Sequence, residues 1–161
     1  MRYRRMPIEV DSPEQLGYDR IRFNLAESSV RDLVLGDLDP DLPARLARLV
    51  LAYGDHLGLP DLRARIGALW NVAANDILVT PGASAALFLV NSALLGPGDH
   101  AVIARPNYAT NVETPRAIGA DITFVDTTWD NGWQVDPAAV AASMTDQTVL
   151  VSVTSPGNPT G

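Results

Sequence analysis

Short apolar runs and helix-spaced apolar stripes take turns along the chain from about residue 42 onward. Leu42, Leu46 and Leu49 fall on one helical face, with Arg45 and Arg48 pointing elsewhere, which predicts an amphipathic helix ending before Gly54. Pro60 suits the first turn of a second helix, whose buried face would carry Leu62, Ile66 and Leu69 and which would run to about Trp70. Asp76-Ile77-Leu78-Val79 reads as a short buried strand. After the turn Thr80-Pro81-Gly82, residues 83–95 are apolar almost throughout, which predicts a buried helix. Gly96-Pro97-Gly98-Asp99 is a turn, 100–104 a strand, 105–108 a loop, 109–118 a helix and 121–125 a strand. Asn131-Gly132 marks a tight turn that Trp129 and Trp133 would pack. Asp136-Pro137 opens a short helix with Asp136 as its cap, and 148–153 is a β-branched strand. The first 38 residues lack strong periodicity, although Ser12-Pro13 could start a short helix.

Strands alternating with helices predict an α/β fold in three layers, a mostly parallel sheet with helices on both faces. Ligands of such sheets sit outside the carboxyl ends of the strands, so loops 80–84, 105–108 and 154–161 should converge. The first of these loops has chemistry of its own. A strand feeding Gly82-Ala83-Ser84 and then a helix places backbone N–H groups and the positive end of the helix dipole at one point. Phosphate is a usual guest of such a point, and the Ser84 hydroxyl could add a hydrogen bond. The same residues also read as an ordinary strand-to-helix turn with small side chains for close packing.

Composition narrows the options. The 161 residues are 47% apolar and 19% charged, as in a soluble globular protein. There is no cysteine, and His56 and His100 lie far apart, so neither disulfides nor a transition-metal site is expected. A net charge of −7 argues against nucleic acid or an anionic membrane as partner. No apolar run reaches the roughly 18 residues that span a bilayer, and no apolar signal core follows the basic start Met1-Arg2-Tyr3-Arg4-Arg5-Met6-Pro7, so a cytoplasmic location is expected. All twelve basic residues are arginine. Chemistry that needs a lysine amine cannot be completed by these residues.

Four segments, in order, resemble those of the class I/II aminotransferases, fold-type-I enzymes that depend on pyridoxal phosphate (PLP). They are Tyr53-Gly54-Asp55-His56-Leu57-Gly58 with Leu62-Arg63, Gly82-Ala83-Ser84-Ala85-Ala86-Leu87 with Gly96-Pro97-Gly98-Asp99, Pro106-Asn107-Tyr108, and Ser155-Pro156-Gly157-Asn158-Pro159-Thr160-Gly161. The resemblance implies that Gly82, Ala83 and Ser84 hold the PLP phosphate, that Tyr108 stacks on the pyridine ring and that Asn158 bonds its phenolic oxygen. It implies that Tyr53 reaches the phosphate of the other subunit of a homodimer. Each aromatic also has a plainer reading: Tyr108 as a half-buried loop residue, Tyr53 as a core residue at a helix end. Asn158 could be a turn asparagine before a proline. His56 and Arg105 read as structural or solvated.

The resemblance also implies an organisation. Residues 1–45 would form an amino-terminal arm and part of a small domain, and 46–161 the first part of a PLP-binding large domain, incomplete at its carboxyl side. The reaction would be amino-group transfer between an amino acid and a 2-keto acid, in amino-acid metabolism. No catalytic residue is assigned, because the Schiff-base lysine, the aspartate facing the pyridine nitrogen and the substrate-gripping arginine of the family have no counterpart here. The chain by itself is therefore expected to be inactive. Where the family carries a Gly-Glu-Pro-like stretch near its substrate, Ala26-Glu27-Ser28 stands here, which leaves substrate choice open. Other PLP reactions of the fold remain alternatives (decarboxylation, carbon–sulfur lysis, cyclisation), as does a non-catalytic PLP-binding or dimerisation remnant.

Overall fold

The apolar run His100–Arg105 becomes the central strand, β1, because five of its six residues are buried. It is seen in a computed structural model that describes residues 1–25, 30 and 32–161. Strands β2 (Asp121–Asp126) and β3 (Thr148–Ser152) flank it in the order β2-β1-β3, both parallel to it. The helices, in chain order, are α1 (Pro7–Val10), α2 (Pro13–Leu16), α3 (Leu35–Leu38), α4 (Leu42–Leu46), α5 (Pro60–Trp70), α6 (Ala83–Leu94), α7 (Ala109–Ile118) and α8 (Pro137–Ala142). The chain divides into two compact units, one of Met1–Gln15 with Pro81–Gly161, the other of Leu16–Thr80.

In the first unit, a small parallel sheet is flanked by helices, the arrangement expected of strands joined by helical crossovers. Residues 100–105 pair in step with 121–126. Ala101, Ile103 and Val112 form the core, with Ile122, Phe124 and Leu150 packed on it. His100 ties the three strands at their starts: Nδ1 lies 2.7 Å from Thr148 Oγ1 and Nε2 2.9 Å from Thr123 Oγ1. Helix α7 packs on β1, β2 and α6 and is buried along most of its length. It stops at Gly119, whose φ of 100° is a left-handed value that glycine adopts without strain. Helix α8 begins as expected, with Asp136 accepting from the Ala138 N–H at 2.8 Å.

Several expectations need correction. Residues 77–79 run beside no strand of the sheet, so the described sheet has three strands, not four. Ile77 is extended (φ −115°, ψ 126°), but the Val79 N–H is taken by the Leu57 carbonyl at 2.8 Å within the second unit. Helix α4 is one turn long, and Leu46 and Leu49 are exposed. Helix α5 has the expected bounds, yet Leu62 and Leu69 are exposed and its buried residues are Arg63 and Gly67. The reason is local. A Cβ on Gly67 would stand 2.4 Å from the Val72 carbonyl oxygen, so only glycine lets the chain turn back this tightly. Arg63 faces the same turn and donates to Gly58 O, Ala74 O and Asp55 Oδ2 at 3.1, 2.9 and 3.1 Å. Helix α6 is less buried than its composition predicts, with Phe88, Leu89, Val90 and Leu94 all partly open. Trp129 is exposed, and its turn is held by reciprocal bonds of Thr128 and Asn131. Ala26, Glu27 and Ser28 lie outside the described residues. Among the described residues, no helix is long and apolar enough to cross a membrane, and no group of three His, Cys, Asp or Glu is placed to hold a metal.

Candidate functional site

The site begins where the chain enters α6. Gly82 takes the position before the helix with φ 86°, and a glycine has no side chain to cap the N–H groups that follow. The first N–H groups of a helix have no partner within it, and the helix dipole adds partial positive charge at the same point. Ser84 is in the first turn. Its Oγ lies 2.8 Å from the hydroxyl of Tyr108, the residue that opens α7 after the end of β1. The start of α6 and the loop 105–108 at the end of β1 therefore meet, although no strand of the described sheet leads into α6.

The third loop joins them through Asn107. Its Nδ2 donates to the Ala104 carbonyl at 3.0 Å. Its Oδ1 accepts from the Tyr108 N–H at 2.8 Å, from Asn111 Nδ2 at 2.8 Å and from Thr154 Oγ1 at 2.9 Å. Thr154 follows β3 and leads to Asn158. The result is a cleft of about 850 Å³ lined by, among others, Ala83, Ser84, Tyr108, Asn111, Thr154 and Asn158. Among the described residues, no charged side chain lines it. An anion in this cleft would be met by the helix start and by neutral donors. Tyr108 is 39% exposed and lines the cleft.

Of the residues singled out in the sequence, Ala83, Ser84, Tyr108 and Asn158 share this cleft, with Gly82 immediately before it. Tyr53 stands in the other unit with its side chain fully exposed, which removes the reading of it as a core aromatic within that unit. Arg105 is a structural surface residue. Its Nε and Nη2 donate to both oxygens of Asp126, at 2.5 and 2.8 Å, and its guanidinium lies 4.5 Å from the centre of the Phe124 ring. These hydrogen bonds hold the Asp126 carboxyl below its usual range and raise Arg105 further.

Three residues escaped the sequence reading. Asn107 was visible only as the middle of Pro-Asn-Tyr, and Asn111 stands four residues on, the spacing that lets two side chains meet across a helical turn. Asn91 is almost fully buried on the α6 face that lines the cleft. Its Nδ2 donates to Leu87 O at 2.7 Å, while its Oδ1 has no protein partner. A carboxamide in a largely apolar helix was its only signal.

Comparison with known proteins bears on the chain as a whole. Residues 23–161 match the family described as aminotransferase class I and II. An arginine–pyruvate transaminase of Pseudomonas aeruginosa is 34% identical over 143 residues, 80% of this chain and 36% of that protein. An aspartate/prephenate aminotransferase of Thermus thermophilus is 32% identical, over 80% of this chain and 37% of its own length. Among solved structures, a PLP-dependent aminotransferase from Streptococcus suis superposes with a TM-score of 0.80 at 25% identity, over 91% of this chain and 41% of that one. A Thermus thermophilus aspartate aminotransferase variant gives 0.78 at 28% identity, over 85% and 37%. The chain thus spans well under half the length of each of these four relatives.

Proposed function

The chain belongs to the class I and II aminotransferase family, and on that footing we propose that it forms the cofactor-gripping part of a PLP-dependent aminotransferase, which moves an amino group between an amino acid and a 2-keto acid. The observation that carries this reading is the 2.8 Å bond between Ser84 and Tyr108 at the start of α6. It joins a phosphate-binding element to an aromatic face in one cleft that also contains Asn158. The donor chemistry fits the cofactor: helix-start N–H groups and a hydroxyl for a phosphate, a partly exposed aromatic ring for a pyridine ring, and a carboxamide for a phenolic oxygen.

In this reading the N–H groups of Ala83 and Ser84 and the Ser84 hydroxyl bind the phosphate, with Gly82 giving the turn its left-handed angle. Tyr108 packs its ring on the cofactor ring, and its hydroxyl is kept from rotating by Ser84. Asn158 donates to the phenolic oxygen and fixes the ring's in-plane orientation. Tyr53 serves the phosphate site of a second subunit in a homodimer. Residues 1–45 belong to the arm and small domain, and 46–161 to the large domain. Bound PLP supplies an electron sink for the bond broken at the substrate's α-carbon. The 161 residues include no lysine, so no amine among their side chains moves a proton there.

The test uses the protein expressed from its own complete gene. Purified protein should carry PLP and transfer the amino group of at least one L-amino acid to pyruvate or 2-oxoglutarate. Asn158→Ala should lower PLP affinity by about 2–13-fold. Bound PLP with decarboxylation or thiol release in place of amino transfer would replace the reaction and keep the site. Protein that neither retains nor takes up PLP would overturn both.

A further inference from the structure

We propose that Asn107 is a positioning residue for the cofactor ring: its single carboxamide sets Tyr108 and the segment leading to Asn158 in one fixed geometry. The inference rests on the PLP reading above and goes beyond it by assigning a task to a residue that contributes nothing to the cleft's own surface.

Asn107 Oδ1 is the meeting point of three donors from three places. They are the Tyr108 backbone, the Asn111 side chain on the first turn of α7, and the Thr154 hydroxyl just past β3. Its Nδ2 anchors the group to Ala104 O at the end of β1. Asn111 is nearly buried and its Nδ2 also approaches Thr154 Oγ1, at 3.3 Å, which closes the network. The four atoms around Asn107 thus belong to the end of β1, the start of α7 and the exit of β3. Only a planar group with an acceptor on one side and a donor on the other satisfies all of them. Aspartate keeps the acceptor and loses the donor; leucine, of similar size, loses both.

An ordinary helix-start residue would steady α7 alone. Asn107 does more, because the same oxygen that holds the Tyr108 backbone also holds Thr154, four residues before Asn158. Two ligand contacts on separate loops therefore depend on one atom. Misplacement by about an ångström is enough to lose most of a positioned contact. Loss of Asn107 should accordingly weaken ring stacking and the Asn158 contact together.

The experiment measures PLP affinity and the induced circular dichroism of bound PLP, which reports how rigidly the ring is held, in the protein expressed from its complete gene. Asn107→Leu should weaken PLP binding about 5–20-fold and shrink the induced signal, and Asn107→Asp should recover part of both. In a background that carries both Tyr108→Ala and Asn158→Ala the Asn107→Leu effect should fall to about twofold or less, because both positioned contacts are already gone. Equal losses in both backgrounds, or unchanged affinity and dichroism in Asn107→Leu, would overturn the proposal. If Asn107→Leu does not fold, Thr154→Val removes one donor to the same oxygen. It should weaken binding in the parent and not in an Asn158→Ala background, and equal effects in both would again overturn it. Failure of the unmutated protein to bind PLP is read separately and overturns the functional reading together with this inference.

Discussion

Ser84 and Asp126 show how differently two exposed polar residues can matter. The Ser84 hydroxyl has a partner in Tyr108 and stands at a helix start. Ser84→Ala removes the bond to Tyr108 and, in the proposed reading, one to the phosphate; at about 0.5–1.5 kcal/mol for a hydrogen bond, PLP titration should show affinity at least about 2–13-fold weaker, with little change in the denaturant midpoint. Asp126 does the opposite. Its carboxyl is held below the usual carboxylate range, mainly by its hydrogen bonds from Arg105, with desolvation opposing and the charge of Arg105 adding to the lowering. A lowered folded-state value means that the pair stabilises the protein above the unfolded carboxylate pKa, and that this contribution fades as pH falls through the lowered value. Both side chains are about half exposed, so the contribution is at most about 1 kcal/mol. Urea midpoints of Asp126→Asn should fall slightly below those of the parent at pH 7, and the gap should close as pH falls below about 4. A gap of constant size would show that the pair's charge contributes nothing. Ser84 could be named from the sequence as a helix-start hydroxyl, but its bond to Tyr108 and the pairing of Asp126 with Arg105 are visible only in the distances.

Helix α5 illustrates the gap between an element's existence and its packing. Its start and end follow from Pro60 and from Asn71, which adopts a left-handed φ of 54° just past Trp70. Its buried face did not follow from apolar spacing, because the tight return at Val72 selects the one position without a side chain. Gly67→Ala should therefore cost about 1–3 kcal/mol, since the added carbon meets backbone and not a flexible side-chain tip. Urea unfolding would show it as a lower midpoint with an unchanged slope. A neutral result would mean that residues 71–74 give way freely. Helix α6 makes the same point from the other direction. Its apolar composition announced a helix correctly, while its cover depends on which neighbours reach it.

At the scale of the whole chain, apolar exposure is the dominant physical fact. Leu25, Leu51, Leu69 and Trp129 are each more than two-thirds exposed, and Phe88, Leu89 and Val90 lie open along α6. Surfaces of this kind drive association. The 161 residues purified alone should therefore self-associate or melt without cooperativity, as light scattering combined with a thermal scan would show. A sharp two-state transition from a monomer would sink this expectation. The sequence by itself determined the alternation of strands and helices, the turns that punctuate them, and the segments that mark the family. These are local signals, carried by periodicity, proline, glycine and short motifs. It also determined that no lysine stands among the 161 residues. Only the tertiary structure decided that residues 77–79 pair with no strand, that Arg63 and not Leu62 is buried, and that Asn107 joins three loop and strand ends through one oxygen. Those outcomes depend on which distant groups arrive at a given atom, and no local pattern encodes an arrival: Asn107 and Thr154 meet across 47 residues because β1 and β3 happen to be neighbours in a parallel sheet.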